Sequence, residues 1–164
     1  MSKKVALECS CGTVKGEISI VTESSFHVHC LCCDCQSFAS HLNNSENIID
    51  EYGGTELFQT YPDLIKITEG QDKISGIQLR EKGIYRWHTT CCNMPIANTM
   101  NSSKIPFAGV SVKLMKFSSE VTTEYRKNNS LSFNTTATIK TADKDIEIDL
   151  NLSYTENFYE AHKE

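Results

Sequence analysis

No stretch of this 164-residue chain approaches the roughly 20 consecutive apolar residues that a helix needs to cross a bilayer, so no membrane partner is expected. Its start, MSKKVALECS, has two lysines with no apolar run behind them. That argues against a secretory signal and makes the cytoplasm the expected location. Positive charge is also short: 16 Lys and Arg stand against 21 Asp and Glu, for a net charge of −5. Such a balance excludes a broad, salt-sensitive grip on nucleic acid or anionic lipid. The histidine spacing of a nucleic-acid zinc finger is absent. So are internal repeats and low-complexity tracts. What remains is an acidic, single-domain-sized chain long enough to bury a real core.

What the chain does have is cysteine, eight residues in three clusters and none elsewhere: Cys9 and Cys11; Cys30, Cys32, Cys33 and Cys35; Cys91 and Cys92. In a reducing compartment such clusters suggest metal binding or catalysis before disulfides. Residues i and i+2 of a strand share a face, so Cys9 and Cys11 can present two sulfurs to one ion, with Gly12 turning the chain away behind them. Cys30 and Cys32 follow the same logic, and Cys35 adds the two-residue spacing of a zinc knuckle. Cys33 is out of phase with that trio and reads as a small buried residue or spare thiol. His27 and His29 fall on the opposite strand face from Cys30 and read as ordinary polar side chains. Cys91 and Cys92 can reach one ion only through a turn, which Asn-Met-Pro after them allows. His88, three residues before Cys91, is an alternative ligand. By count, the chain offers one closed four-ligand site and one open three-thiolate site. Zinc is the expected ion at both, because soft sulfur ligands suit it.

The pattern predicts a mainly β fold with one or two short helices. Val14, Ile18 and Ile20 alternate with polar neighbours, as do Phe26, Val28 and Cys30. ELFQTY (56–61) and LIKIT (64–68) read as strands around a Tyr-Pro-Asp turn. ISGIQLR (74–80) and IYRWH (84–88) flank a three-residue EKG connection. FAGVSVKLMKF (107–117) reads as one strand, and DCQSFASHL (34–42) as a helix that NNSEN stops. LSFNTTATIK (131–140) and IEIDLNLSY (146–154) read as an antiparallel hairpin, with TENFYEAHKE as a closing helical turn. The expected organisation is a zinc-binding β domain, 1–117, with a C-terminal hairpin extension, 118–164, packed on it, and FSSE as the candidate linker. A structural role or self-association into a homodimer is the reading for that extension.

Cys9-Ser-Cys11-Gly12, Cys30-Leu-Cys32-Cys-Asp-Cys35-Gln36 and Cys92-Asn-Met-Pro95, in that order, resemble the glutathione-dependent formaldehyde-activating enzyme family, which includes centromere protein V. ITEGQDKI (67–74) is similar to the family's strand–turn segment at that place. The resemblance covers residues 5 to 117 and implies an Mss-four-like antiparallel β-fold with two zinc ions. It also implies that Cys9, Cys11 and Cys92 hold a structural zinc, and that Cys30, Cys32 and Cys35 hold the reactive one. The family's last motif, Cys-x-x-Cys-Gly-Thr-Pro, would place its first cysteine on Thr89, its glycine on Asn93 and its threonine on Met94. The fourth structural ligand is therefore Cys91 or His88, with Cys91 preferred. The expected function is a zinc-dependent carbon–sulfur lyase acting on an adduct of a small thiol, such as glutathione, with a small carbonyl compound. The alternative is a non-catalytic, zinc-stabilised binding module; a redox-sensing Cys32–Cys33 pair is a third and poorer option.

Overall fold

The structure is a computed structural model. It describes residues 3–21 and 25–116, apart from the Phe26 side chain, and the backbone of 136–140 and 145–149. The strands are Lys3–Glu8 (β1), Lys15–Ile20 (β2), Phe26–Cys30 (β3), Thr55–Thr60 (β4), Ile65–Glu69 (β5), Ile74–Ile77 (β6), Tyr85–Thr89 (β7), Pro95–Thr99 (β8), Ala108–Ser111 (β9) and Met115–Lys116 (β10). Two helices, Cys33–His41 (α1) and Ser45–Ile48 (α2), lie between β3 and β4. One sheet has the order β10-β1-β2-β5 and the other β3-β4-β9-β8-β7-β6. All pairings are antiparallel, so the expected mainly β class with short helices holds.

Alternation explains the layers. Val5 and Leu7 point inward from β1, opposite Ile18 and Gly16 of β2. The bulge at Lys15/Gly16 lets β5 approach so closely that a Cβ on Gly16 would stand 2.4 Å from the Lys66 carbonyl oxygen. From the second sheet, Phe58, Val110 and Ala97 sit in register with one another and meet this face, with Leu114 and Met115 closing the core. Each such fully buried side chain contributes about 1.5–3 kcal/mol of transfer free energy, so the two sheets are held chiefly by this seam. The opposite face of the six-stranded sheet is covered by the helices. Phe38, Ala39, Leu42 and Ile48 form a second cluster there, against Ile77 and Leu79.

Three expectations need correction. The strand 107–117 is two strands: the chain leaves the six-stranded sheet at Ser111, turns through a 3-10 segment at Val112–Leu114, and joins β1 as β10. Burial of Leu114 and Met115 between the sheets drives that crossing. β6 ends at Ile77, and a loop over 78–84 replaces the three-residue EKG connection, because Leu79 turns to pack on the helices. NNSEN stops α1 but also begins α2, with Asn43 at φ 55° in the reversal. The expected hairpin is present as Thr136–Lys140 (β11) paired with Asp145–Asp149 (β12). Its expected packing on the first domain, the FSSE connection and the closing helical turn lie outside the described residues.

Candidate metal centres

Two facing turns build the outer centre. After β1 the chain reverses, with the Gly12 N–H donating to the Cys9 carbonyl at 3.0 Å and Gly12 at φ 76°. After β7 a second turn closes through the Asn93 N–H to the Thr89 carbonyl at 3.1 Å. Asn93 takes φ 54° there; asparagine tolerates this left-handed region, so it can stand where a glycine would be expected. The turns bring four sulfurs together. Cys9 Sγ lies 3.6 Å from Cys11 Sγ and 3.9 Å from Cys91 Sγ, and Cys91 and Cys92 Sγ are 3.9 Å apart. All four atoms lie within 4.8 Å of one another. Four sulfurs around a tetrahedral ion at roughly 2.3 Å would be separated by about 3.8 Å, so the donor set fits a closed metal site.

Neighbouring donors surround three of these sulfurs. The buried Cys9 Sγ accepts from the Val14 N–H at 3.3 Å, and Cys11 Sγ meets Thr13 Oγ1 at 3.2 Å. The Thr13 hydroxyl and N–H pull the Cys11 thiol below its ordinary value. Burial pushes Cys92 up, but bonds from Ser10 and Thr89 and from the Cys11 backbone outweigh it and leave the thiol at about 6. Burial and the adjoining sulfurs raise Cys91 to about 12, as expected when the last of four crowded sulfurs must also lose its proton. His88, the alternative ligand, is elsewhere. Its ring packs edge-on to Phe38 at 6.1 Å under α1, and burial lowers its pKa. The structure therefore gathers Cys91, not His88, with Cys9, Cys11 and Cys92.

The central centre lies where β3 passes into α1. Cys30 Sγ is 3.3 Å from Cys32 Sγ and 3.4 Å from Cys35 Sγ. Cys32 is the N-cap of α1, and its sulfur accepts from the Cys35 N–H at 3.4 Å. Hydrogen bonds from Cys30 and Cys35 depress the Cys32 thiol strongly, while Cys30 is raised in exchange. The helix N-terminus favours negative charge at this spot. Arg86 Nη1 adds a contact to Cys35 Sγ at 3.6 Å. Only these three sulfurs group here among the described residues. Cys33 is exposed and turned towards Asp34, with no part in the group.

The histidines of β3 are not ordinary surface groups. His27 and His29 are buried, which corrects their reading from alternation. His29 Nε2 bonds to Asp50, whose other oxygen accepts from the Tyr52 and Gly54 N–H groups at 2.9 and 3.0 Å. This pair ties the loop before β4 to the strand that carries Cys30. Sequence reasoning also missed Arg86 and Thr89. Arg86 sits in an alternating strand, where a charged residue reads as solvent-facing. Thr89 occupies the place of an expected cysteine, yet its Oγ1 lies 3.4 Å from Cys92 Sγ and accepts from the Met94 N–H.

Residues 1–151 match the model of a family described as a family of unknown function, DUF6151. The chain belongs to that family. The comparison with curated proteins returns no significant match. Among solved structures, a Rhodobacter sphaeroides protein from a structural genomics programme is similar at a TM-score of 0.50 and 14% identity. The match covers 69% of this chain and 89% of that one. At that identity the likeness concerns the fold alone. Two cysteine groups able to hold metal ions are thus built into this DUF6151 chain. No described helix is long and apolar enough to cross a membrane.

Proposed function

We propose that the chain binds two zinc ions and works as a carbon–sulfur lyase-like enzyme, joining or separating a small thiol and a small carbonyl compound. Cys9, Cys11, Cys91 and Cys92 hold the structural ion, and Cys30, Cys32 and Cys35 hold the reactive one. The observation that carries this reading is the difference in donor count. Four sulfurs close the outer group and three form the central one, the pattern that separates structural from catalytic zinc. The cysteine-motif resemblance to the formaldehyde-activating family points the same way.

Zinc on three thiolates would supply a position where a thiol is held deprotonated and a carbonyl is polarised. The protein's own groups set up that position. Cys32 is anchored by the Cys35 N–H at the start of α1, so the trio is fixed by one helical turn. Arg86 balances the negative charge of the sulfurs from the sheet side. Asp34 is engaged by Arg80 and lies 4.0 Å from Arg86 Nη2, which suits it to holding arginines rather than taking protons. In the addition, the thiol S–H bond breaks, a C–S bond forms, and the proton ends on the former carbonyl oxygen. No electrons change hands, and the reverse path is the lyase direction.

Cobalt in place of zinc tests the reading. Adding glutathione should shift the visible spectrum towards four-sulfur tetrahedral coordination at the central site alone. A spectrum indifferent to every thiol would leave the non-catalytic binding module as the function.

A further inference from the structure

A cleft opens beside Cys35, between α1 and the helix-facing side of the six-stranded sheet. It is a shallow cleft open to solvent, lined by residues of both the helices and the sheet. Strand register explains its polar floor: Leu57 lies opposite Ser111, Gly109 opposite Asn98, and Asn98 opposite Arg86, all on the side away from the main core. Phe38 and Ile48 supply an apolar wall from the helices; Lys113 stands at the cleft as a second cation, and Glu56, whose carboxylate lies 3.7 Å from His27 Nε2, also lines it.

Two features of that floor offer buried polar groups to a bound molecule. Arg86 is 3% exposed, and its charge is met by the central sulfurs on one side and only at long range by a carboxylate. Its ion-pair partner, Asp34, is 4.0 Å away and already bonded to Arg80. The contacts Arg86 makes through Nη1 are to Cys35 Sγ and to Asn98 Oδ1 at 3.4 Å, and Phe38 stacks under the guanidinium at 5.6 Å. Thr55 also lines the cleft, and its buried Oγ1 has no hydrogen-bond partner. Gly109 keeps the space open. A Cβ there would make ordinary contacts with Phe107 at 3.6 Å and Leu57 at 3.8 Å, whereas a longer side chain would enter the cleft.

We propose that this cleft is a carboxylate subsite, and that the carbonyl partner of the reaction is a small 2-oxo acid rather than a bare aldehyde. This rests on the thiol-adduct reading given above. A guanidinium matches a carboxylate with two parallel N–H bonds, and Thr55, Ser111 and Asn98 add neutral polar groups. The apolar wall takes the short carbon chain. Formaldehyde would leave every one of these groups unused. The acid group is unchanged in the reaction: the thiol adds across the 2-oxo carbonyl, and its proton goes to that oxygen.

The test is calorimetric titration of the zinc-loaded full chain with pyruvate, with acetone as the control that keeps the carbonyl and lacks the acid. Pyruvate should bind and acetone should not. Arg86→Lys should weaken pyruvate about tenfold, the loss of one charge-assisted hydrogen bond. Gly109→Leu, which fills the cleft without touching charge, should abolish binding while the protein keeps two zinc ions; Gly109→Ala should bind as wild type. Equal binding of pyruvate and acetone, or pyruvate binding that survives Gly109→Leu in a folded protein, overturns the subsite. Because no thiol is present, the result is separable from the lyase reading. Pyruvate binding beside a cobalt spectrum silent to thiols would keep the subsite and remove the lyase, and the converse would remove only the subsite.

Discussion

Cys91→Ser isolates the contribution of one ligand to the outer centre. Cys91 is exposed, so the substitution leaves almost no cavity and sacrifices little packing. What it removes is one of four sulfurs, 3.9 Å from both Cys9 and Cys92. Structural zinc contributes about 10–16 kcal/mol of binding free energy that is also folding free energy; divided over four thiolates, this is about 2.5–4 kcal/mol each. For a chain of this length each kcal/mol moves the melting temperature by about 3 °C, so the variant should melt about 10 °C lower. Differential scanning fluorimetry together with elemental analysis reads both consequences, and zinc should fall from two equivalents towards one. His88→Ala is the matched control. It loses the edge contact to Phe38 and no ligand, so it should keep two zinc ions and melt within a few degrees of wild type, as expected for a substitution costing about 1 kcal/mol. A Cys91→Ser protein with two zinc ions and an unchanged melting temperature would refute the four-sulfur assignment.

Cys35→Ser should cost the central zinc alone, leaving one equivalent, a folded protein by circular dichroism and no cobalt response to glutathione. Asp50→Ala should destabilise by about 1–3 kcal/mol in urea unfolding, because the Tyr52 and Gly54 N–H groups and buried His29 lose their acceptor. On acidification from pH 7, zinc should leave first as protons compete for the thiolates, followed by chelator-independent loss of stability. Burial pushes the Asp50 carboxyl up, but His29 and the backbone N–H groups hold it below its ordinary value. Its contribution is thus present above about pH 4 and lost as pH falls further, which pH-dependent unfolding of the metal-free protein would show. Deleting residues 118–164 should leave zinc content at two, since every proposed ligand precedes residue 93.

The sulfur groups were legible in the sequence because their spacing obeys local geometry. The expected strand geometry is replaced by turns: Cys9 and Cys11 share the turn after β1, and Cys30, Cys32 and Cys35 share a strand end and the first turn of a helix. The choice of Cys91 over His88 was not decided by spacing, since either can lie near a turn. It is decided by β7, whose burial under α1 sends His88 to Phe38. The buried role of Arg86 was hidden for the same reason, whereas His27 and His29 lie on the strand face shared with Phe58. Alternation says that a residue faces away from one layer, but not that helices cover the other side. The break at Val112–Leu114 likewise depends on where the second sheet stands, which no local pattern records.

The two centres also differ in how much chain each must gather. The central one is complete within six residues, whereas the outer one joins a turn after β1 to a turn after β7. During synthesis the helix carrying Cys35 emerges about 60 residues before Cys92, a lead of roughly 3–12 s at ordinary elongation rates. A nascent chain therefore offers an ion a three-thiolate nest while the turn after β1 still waits for its partner. On the proposed reading, metal arriving early would be captured by the central group, and a later ion would lock the two sheets together over a loop of about 80 residues. Closing a loop of that size removes about 4.5 kcal/mol of unfolded-state freedom by the same entropy that makes a cross-link stabilising. If the proposal holds, the first position filled would be the one open to ligand exchange, and the last would be the one that fixes the fold.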